Sequence, residues 1–539
     1  MVPASRFKPV SIGFMNRTIF SIISLSGSLL ALLPATQAPA AQEEPSKDAS
    51  DSGGGEAPAV VLHPEPVSSE RQMTLGGETL HYRASAGTLP LFDETDGSVK
   101  AEIFHVAYLK LEKQGDQWVL PEASTRPILF LFNGGPGSSS VWLHLGAFGP
   151  RRVVMGDVGD LKPPPWKLAP NDACLLDVAD LVFIDPVTTG YSRAAEGEDD
   201  HQFHGLEQDA NAVAEFIRLF ITRHGRWESP KLIGGESYGT TRAAALSELL
   251  QNRHGVFLDG VILVSSVLDF GTIRFGRNND LPHALFLPTY AATAWYHGRL
   301  DRDRYPTLES VISDAEDFAI DRYLIALARG NAIEATEKAA VVARLSQLTG
   351  LSEDVYLQAN LRVGPGTFRK ELLRTSRETV GRLDSRFIGF DADAVGSRPE
   401  YDPSYSAIQG PYTAAMNHYI RTELGYESDL PYEILTSRVH PWDYSEFEGR
   451  HVDVSDRLRS AMVRNPNLRV FLASGYFDLA TPHFAADYVV DHLRLEPAFQ
   501  EHVETRYYPA GHMMYVADEL RRRLSDDVRS WMKTTAPDR

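Results

Sequence analysis

Five short apolar runs, each closing on small or acidic residues, constrain this chain more than any other feature. They are "RPILFLFNGG" (126–135), "ADLVFIDPVTTG" (179–190), "KLIGGESYG" (231–239), "DGVILVSSV" (259–267) and "LRVFLASGYFD" (468–478). "HVETRYYPAGH" (502–512) is a weaker version, and "AEIFHVAYLKLE" (101–112) mixes an apolar run with alternation. A continuous apolar run of this length reads as a strand covered on both faces, because neither face then needs polar residues. Helical spacing fills the gaps. In 206–225, Ala212, Val213, Phe216, Ile217, Phe220 and Ile221 fall on one helical face before Gly225, and 240–252 reads as a second helix. Strands alternating with helices predict an α/β fold with a mostly parallel central sheet. The alternation stops between 270 and 460. That region reads as a mainly helical cap insertion, with an irregular, tyrosine-rich stretch at 395–419.

The 539 residues carry a net charge of -19, which argues against nucleic acid as a partner, since phosphate contacts need clustered Lys and Arg. Cys174 is the only cysteine, so an intramolecular disulfide and a cysteine–zinc site are both excluded. At the N-terminus, Arg6, Lys8 and Arg17 precede or flank an apolar stretch, and Ala38 and Ala40 occupy the small positions of a cleavage site. This predicts a signal peptide over 1–40, cleaved near Ala40, and an exported, periplasmic or secreted protein with no stable membrane anchor. A polar low-complexity linker (41–59) follows. The core is then expected in two parts, 60–269 and 461–539, on either side of the cap at 270–460.

Parallel sheets gather their chemistry at the C-terminal ends of strands. Ser237 follows one strand and precedes a helix, flanked by Gly235 and Gly239, which is the setting of a strand-to-helix nucleophile turn. Asp478 and His512 follow the last two strands. Nucleophile, acid and base in that chain order are the α/β-hydrolase order. His512 would take the Ser237 proton, and Asp478 would orient the imidazole. Such acyl transfer needs no metal or organic cofactor. "NGGPGSSS" (133–140) follows another strand and can aim a backbone N–H at an oxyanion. His201 and His204 lie among acids in 196–209, but a solvated loop accounts for them more simply than a metal site.

"NGGPGSSS", "GGESYGT", "GYFDLATP" and "AGHMM", in this order, resemble the serine carboxypeptidase family, and "PNDACLLDVADLVFIDPVTTGYS" resembles its segment between the first two motifs. The resemblance implies an α/β-hydrolase fold and an enzyme that removes C-terminal residues from peptide substrates; Ser138, where many relatives have Cys, looks like an exported, bacterial-type branch. It implies a triad of Ser237, Asp478 and His512, and an oxyanion hole from the N–H groups of Gly135 and Tyr238. Asn133 and Glu236 would bind the substrate carboxylate, and Met513 would wall the pocket for the departing residue. Two carboxylates in contact repel, so Glu236 would act protonated and favour peptide cleavage in acid. One departure stands out. Ala147 occupies the position of a second family glutamate. Its loss leaves open an exported esterase or amidase. A proline aminopeptidase-like hydrolase shares the glycine-rich motif and the nucleophile turn, and a degenerate hydrolase could serve as a binding protein.

Overall fold

The structure is a computed structural model that describes residues 66–156, 158 and 163–535. The signal-peptide and linker readings, over 1–40 and 41–59, lie outside the described residues.

The apolar runs all become neighbouring strands of one mixed sheet. Its main strands are β1 (Val67–Leu75), β2 (Glu78–Phe92), β3 (Val99–Gln114), β4 (Ile128–Phe132), β5 (Asp180–Ile184), β6 (Lys231–Glu236), β7 (Gly260–Val264), β8 (Arg469–Gly475) and β9 (Val503–Tyr508). They lie side by side in the order β1-β2-β3-β5-β4-β6-β7-β8-β9. The six from β5 to β9 are parallel to their neighbours. The first three are antiparallel and extend one edge. This is the α/β arrangement the alternation predicts. The edge ribbon of β1 and β2 is a feature that no apolar run announces.

Strand geometry divides each central strand between two cores. Ile128, Phe130 and Phe132 of β4 face one side, and Leu129 and Leu131 face the other. Helices α1 (Leu206–Arg223) and α2 (Tyr238–His254) cover the first side through Val213, Phe216, Phe220, Leu246 and Leu250. The C-terminal helix Asp518–Thr535 covers the second through Leu524, Val528 and Trp531.

Within 270–460 the chain does two different things. Helices α3 (Leu287–Tyr296), α4 (Leu308–Phe318) and α5 (Ala335–Thr349) build a third core around Tyr290, Val311, Leu345 and Phe368. Phe477 and Leu479 belong to that core, on either side of Asp478. The chain then returns to the sheet. The stretch 395–419, which reads as irregular, is mostly a helix, α6 (Pro403–His418), whose Ile408, Tyr412 and Met416 pack into the second-side core. Gly410 and Pro411 disguise it, since both oppose a helix interior. Packing of its buried face and a cap at Asp402, which accepts from the Ser404 N–H at 3.1 Å, outweigh them.

Candidate active site

Ser237 sits where β6 turns into α2, with φ 59° and ψ -128°. A side chain rarely adopts that conformation, at a cost of roughly 1–3 kcal/mol. The surroundings enforce it: the Ser237 N–H donates to Val264 O at 3.0 Å, and the Thr240 N–H donates to Ser237 O at 2.8 Å. The turn is so tight that a Cβ on Gly235 would lie 2.1 Å from Gly239 O. Only glycine fits there. The turn leaves the Ser237 side chain half-buried, at the edge of a cavity. The amides of Gly135 and Tyr238 flank the same place and donate to no acceptor among the described residues.

Asp478 and His512 meet at the ends of β8 and β9. His512 Nδ1 lies 2.7 Å from Asp478 Oδ2, and both residues are buried. Asp478 Oδ1 accepts from the N–H groups of Ala480 and Thr481 at 2.7 and 3.1 Å. Thr481 Oγ1 donates to Asp478 Oδ2 at 2.8 Å and lies 3.2 Å from His512 Nδ1. Burial alone would push the imidazole down, but the adjacent Asp478 carboxylate outweighs it and raises His512 above its ordinary value. With Nδ1 facing Asp478, Nε2 is the atom left for a substrate proton. His512 and Ser237 line the same cavity, and no hydrogen bond joins them. In free hydrolases such bonds often tighten only when substrate binds.

Glu236, the last residue of β6, is buried. Its Oε1 accepts from Asn133 Nδ2 at 3.1 Å, and its Oε2 accepts from the Tyr515 hydroxyl at 2.5 Å. Burial pushes the carboxyl up to about 7, although charged His512, the Tyr515 hydroxyl and Asn133 all pull the other way. Asn133 is fixed at its other end, where Oδ1 accepts from the Leu143 N–H at 3.1 Å. One Nδ2 hydrogen therefore remains for a ligand. Ala147 lies buried in a turn of π-helix, Leu143–Phe148, where its carbonyl accepts from Asn171 Nδ2 at 2.8 Å. Among the described residues no second acid hydrogen-bonds Glu236; Asn133 and the phenol of Tyr515 are its partners. The neighbour of Ala147 makes this possible, because a Cβ on Gly146 would lie 2.4 Å from the Tyr515 ring. The "AGHMM" motif ends at Met514 and does not single out Tyr515, the next residue.

The cavity at Ser237 has a volume of about 550 Å3, and Asn133, Glu236, Ser237, His512 and Met513 all line it. Tyr405 and Ile408 of α6 line it as well. His201 and His204 lie elsewhere. His204 is buried with Nε2 2.8 Å from Thr188 Oγ1, and His201 stands with Asp199 and Asp200 at the surface.

The sequence matches the serine carboxypeptidase family over residues 103–516. The chain belongs to the serine carboxypeptidase family. Among curated protein sequences none matches it. Among solved structures it resembles Kex1(delta)p, a prohormone-processing carboxypeptidase from Saccharomyces cerevisiae, at 16% identity and a TM-score of 0.50, over 84% of this chain and 91% of that one. It also aligns with a proline iminopeptidase from Mycobacterium smegmatis at 13% identity and a TM-score of 0.31, over 83% and 98%. The fold is that of the α/β-hydrolases, and the protein is a serine carboxypeptidase-like hydrolase, a peptide hydrolase by family. Family membership does not favour an esterase, an aminopeptidase or a binding protein.

Proposed function

We propose that Ser237, His512 and Asp478 remove the C-terminal residue of peptides through an acyl-enzyme. Ser237 Oγ attacks the scissile carbonyl and His512 Nε2 takes its proton. The oxyanion rests on the Gly135 and Tyr238 N–H groups. Collapse breaks the C–N bond, and His512 returns the proton to the leaving amine. Water, deprotonated by His512, then attacks the ester and frees Ser237. Asn133 and protonated Glu236 hold the terminal carboxylate, and Met513 walls the space for the departing residue. The observation that carries this reading is one cavity lined by Ser237, the Asp478-oriented His512 and a carboxyl that burial pushes up to about 7.

A peptide blocked at its N-terminus tests it, alongside the same peptide amidated at its C-terminus. The free acid should lose its last residue and the amide should resist. Equal cleavage of both would remove the carboxylate recognition. A fluorophosphonate probe should label the protein but not a folded Ser237→Ala variant.

The basic, apolar and A-x-A segments of 1–40 support export to the periplasm or exterior. No helix among the described residues is long and apolar enough to cross a membrane. N-terminal sequencing of protein recovered outside the cytoplasm should start at Ala41; an intact Met1 there would oppose cleavage.

A further inference from the structure

Ser237 opens on two spaces. One is the cavity of about 550 Å3 that holds Asn133, Glu236 and Met513. The other has a volume of about 170 Å3 and shares Gly135, Pro136, Ser237, Arg382 and Ala480 with the first. A substrate whose terminal carboxylate rests on Asn133 and Glu236 fills the first with its departing residue. Its penultimate side chain, on the acyl side of the scissile bond, then faces the second. This placement rests on the carboxypeptidase reading above.

The smaller space combines an apolar wall with positive charge. Val267, Phe270, Phe286 and Leu479 supply the apolar lining, and Arg274 and Arg382 line it too, Arg382 between this space and the larger cavity. Both arginines are exposed. Among the described residues no Asp or Glu lines the space, and neither guanidinium has a carboxylate partner. Arg274 lies over the Phe270 ring at 5.4 Å, which steadies the side chain and leaves its donors free. The abundant acids of a chain with net charge -19 leave these two cations uncompensated.

Arg382 is also fixed with respect to the reacting groups. Its N–H donates to Asp402 Oδ1 at 2.9 Å. Its carbonyl accepts at 3.0 Å from the N–H of Leu479, next to Asp478. The following carbonyl, on Leu383, accepts from the His512 N–H at 2.6 Å. Backbone bonds to Leu479, beside Asp478, and to His512 fix the point from which the Arg382 side chain projects, and a fixed anchor of this kind lowers the cost of recognition.

We propose that Arg274 and Arg382 recognise an anionic side chain at the penultimate position, so that the favoured substrates are peptides with Asp or Glu before the residue removed.

N-blocked dipeptides ending in leucine test this, with Glu, Gln or Lys as the first residue. The kcat/KM for Glu should exceed that for Gln by about tenfold, the value expected from roughly 1.4 kcal/mol of screened charge attraction. Lys should be poorer than Gln. Raising the salt should shrink the Glu advantage. Arg274→Gln and Arg382→Gln, both checked for folding by circular dichroism, should each lower the Glu:Gln ratio, and the double variant should bring it near one. Arg382→Lys should keep part of it. Free-acid peptides that are cleaved with Glu no better than Gln or Lys overturn this inference alone. If Arg382→Gln slows Glu and Gln peptides equally, Arg382 serves the terminal carboxylate, and the inference also fails. Cleavage of none of the three overturns the carboxypeptidase reading and this inference with it.

Discussion

At the scale of single residues, the role proposed for Glu236 carries a pH dependence. A carboxyl pushed up to about 7 stays neutral through the acid range and ionises as the pH rises through neutrality. In the proposed role its neutral form would donate to a substrate carboxylate, and its ionised form would repel it. His512 works in the opposite sense, since it is a base only when neutral, and activity rises with pH through its own titration. Peptide acids should therefore show a bell-shaped kcat/KM profile, while an ester substrate without a free carboxylate should show only the rising limb. A peptide profile without the alkaline decline would remove Glu236 from recognition. Tyr515→Phe should move that decline to higher pH, because the lost hydrogen bond favours the ionised acid. The same change should cost about 1 kcal/mol of stability through the lost hydrogen bond. The two readouts, a pH profile and a denaturant midpoint, are independent. Ser237, Asp478 and His512 stand out in the sequence because each is flagged within a few residues by a strand end and a glycine. Tyr515 does not, because its partner is 279 positions away and only folding joins them.

At the scale of elements, the nucleophile helix is locked by one buried cation. Arg242 of α2 is 1% exposed, and its Nε donates to Asp209 Oδ2 of α1 at 2.6 Å while Nη1 donates to Asn133 O at 2.6 Å. Its guanidinium lies over the rings of Phe132 and Tyr238, at 5.3 and 5.4 Å. One side chain thus joins α1, α2 and the loop that carries Asn133. Removing a single member of a buried pair costs more than the pair contributes, because the survivor is left charged and dry. Arg242→Ala should lose about 3–5 kcal/mol in chemical denaturation; a loss below roughly 1 kcal/mol would mean water reaches Asp209. The central strands are legible in the sequence because burial on both faces leaves an uninterrupted apolar run. The edge is not. In β1 buried and exposed positions alternate along "VSSERQMTL", so polar residues conceal the strand. α6 is hidden for the converse reason, since its Gly410 and Pro411 oppose the conformation that packing imposes.

At the scale of the whole molecule, the segment that follows the inserted helices is wired into the catalytic loop. The Gly511 N–H donates to Asp384 Oδ2 at 3.1 Å, and the His512 N–H donates to Leu383 O. Asp384 is itself buried against Arg386, whose Nη1 donates to Pro509 O at 2.7 Å. Asp384→Ala should lower kcat by about tenfold to a hundredfold, the range that small misplacements of a catalytic group produce. Steady-state kinetics on an ester, which bypasses carboxylate binding, checks it. An unchanged kcat would show that the loop holds its shape alone. The wiring has a consequence for redesign. The proposed base, His512, takes its position from the same short segment that carries Arg382, so in the proposed reading specificity and chemistry are not separable modules. A graft that replaces 281–390 by a foreign segment would re-aim His512 along with the pocket. A useful exchange would have to carry residues 509–512 with it as a matched pair.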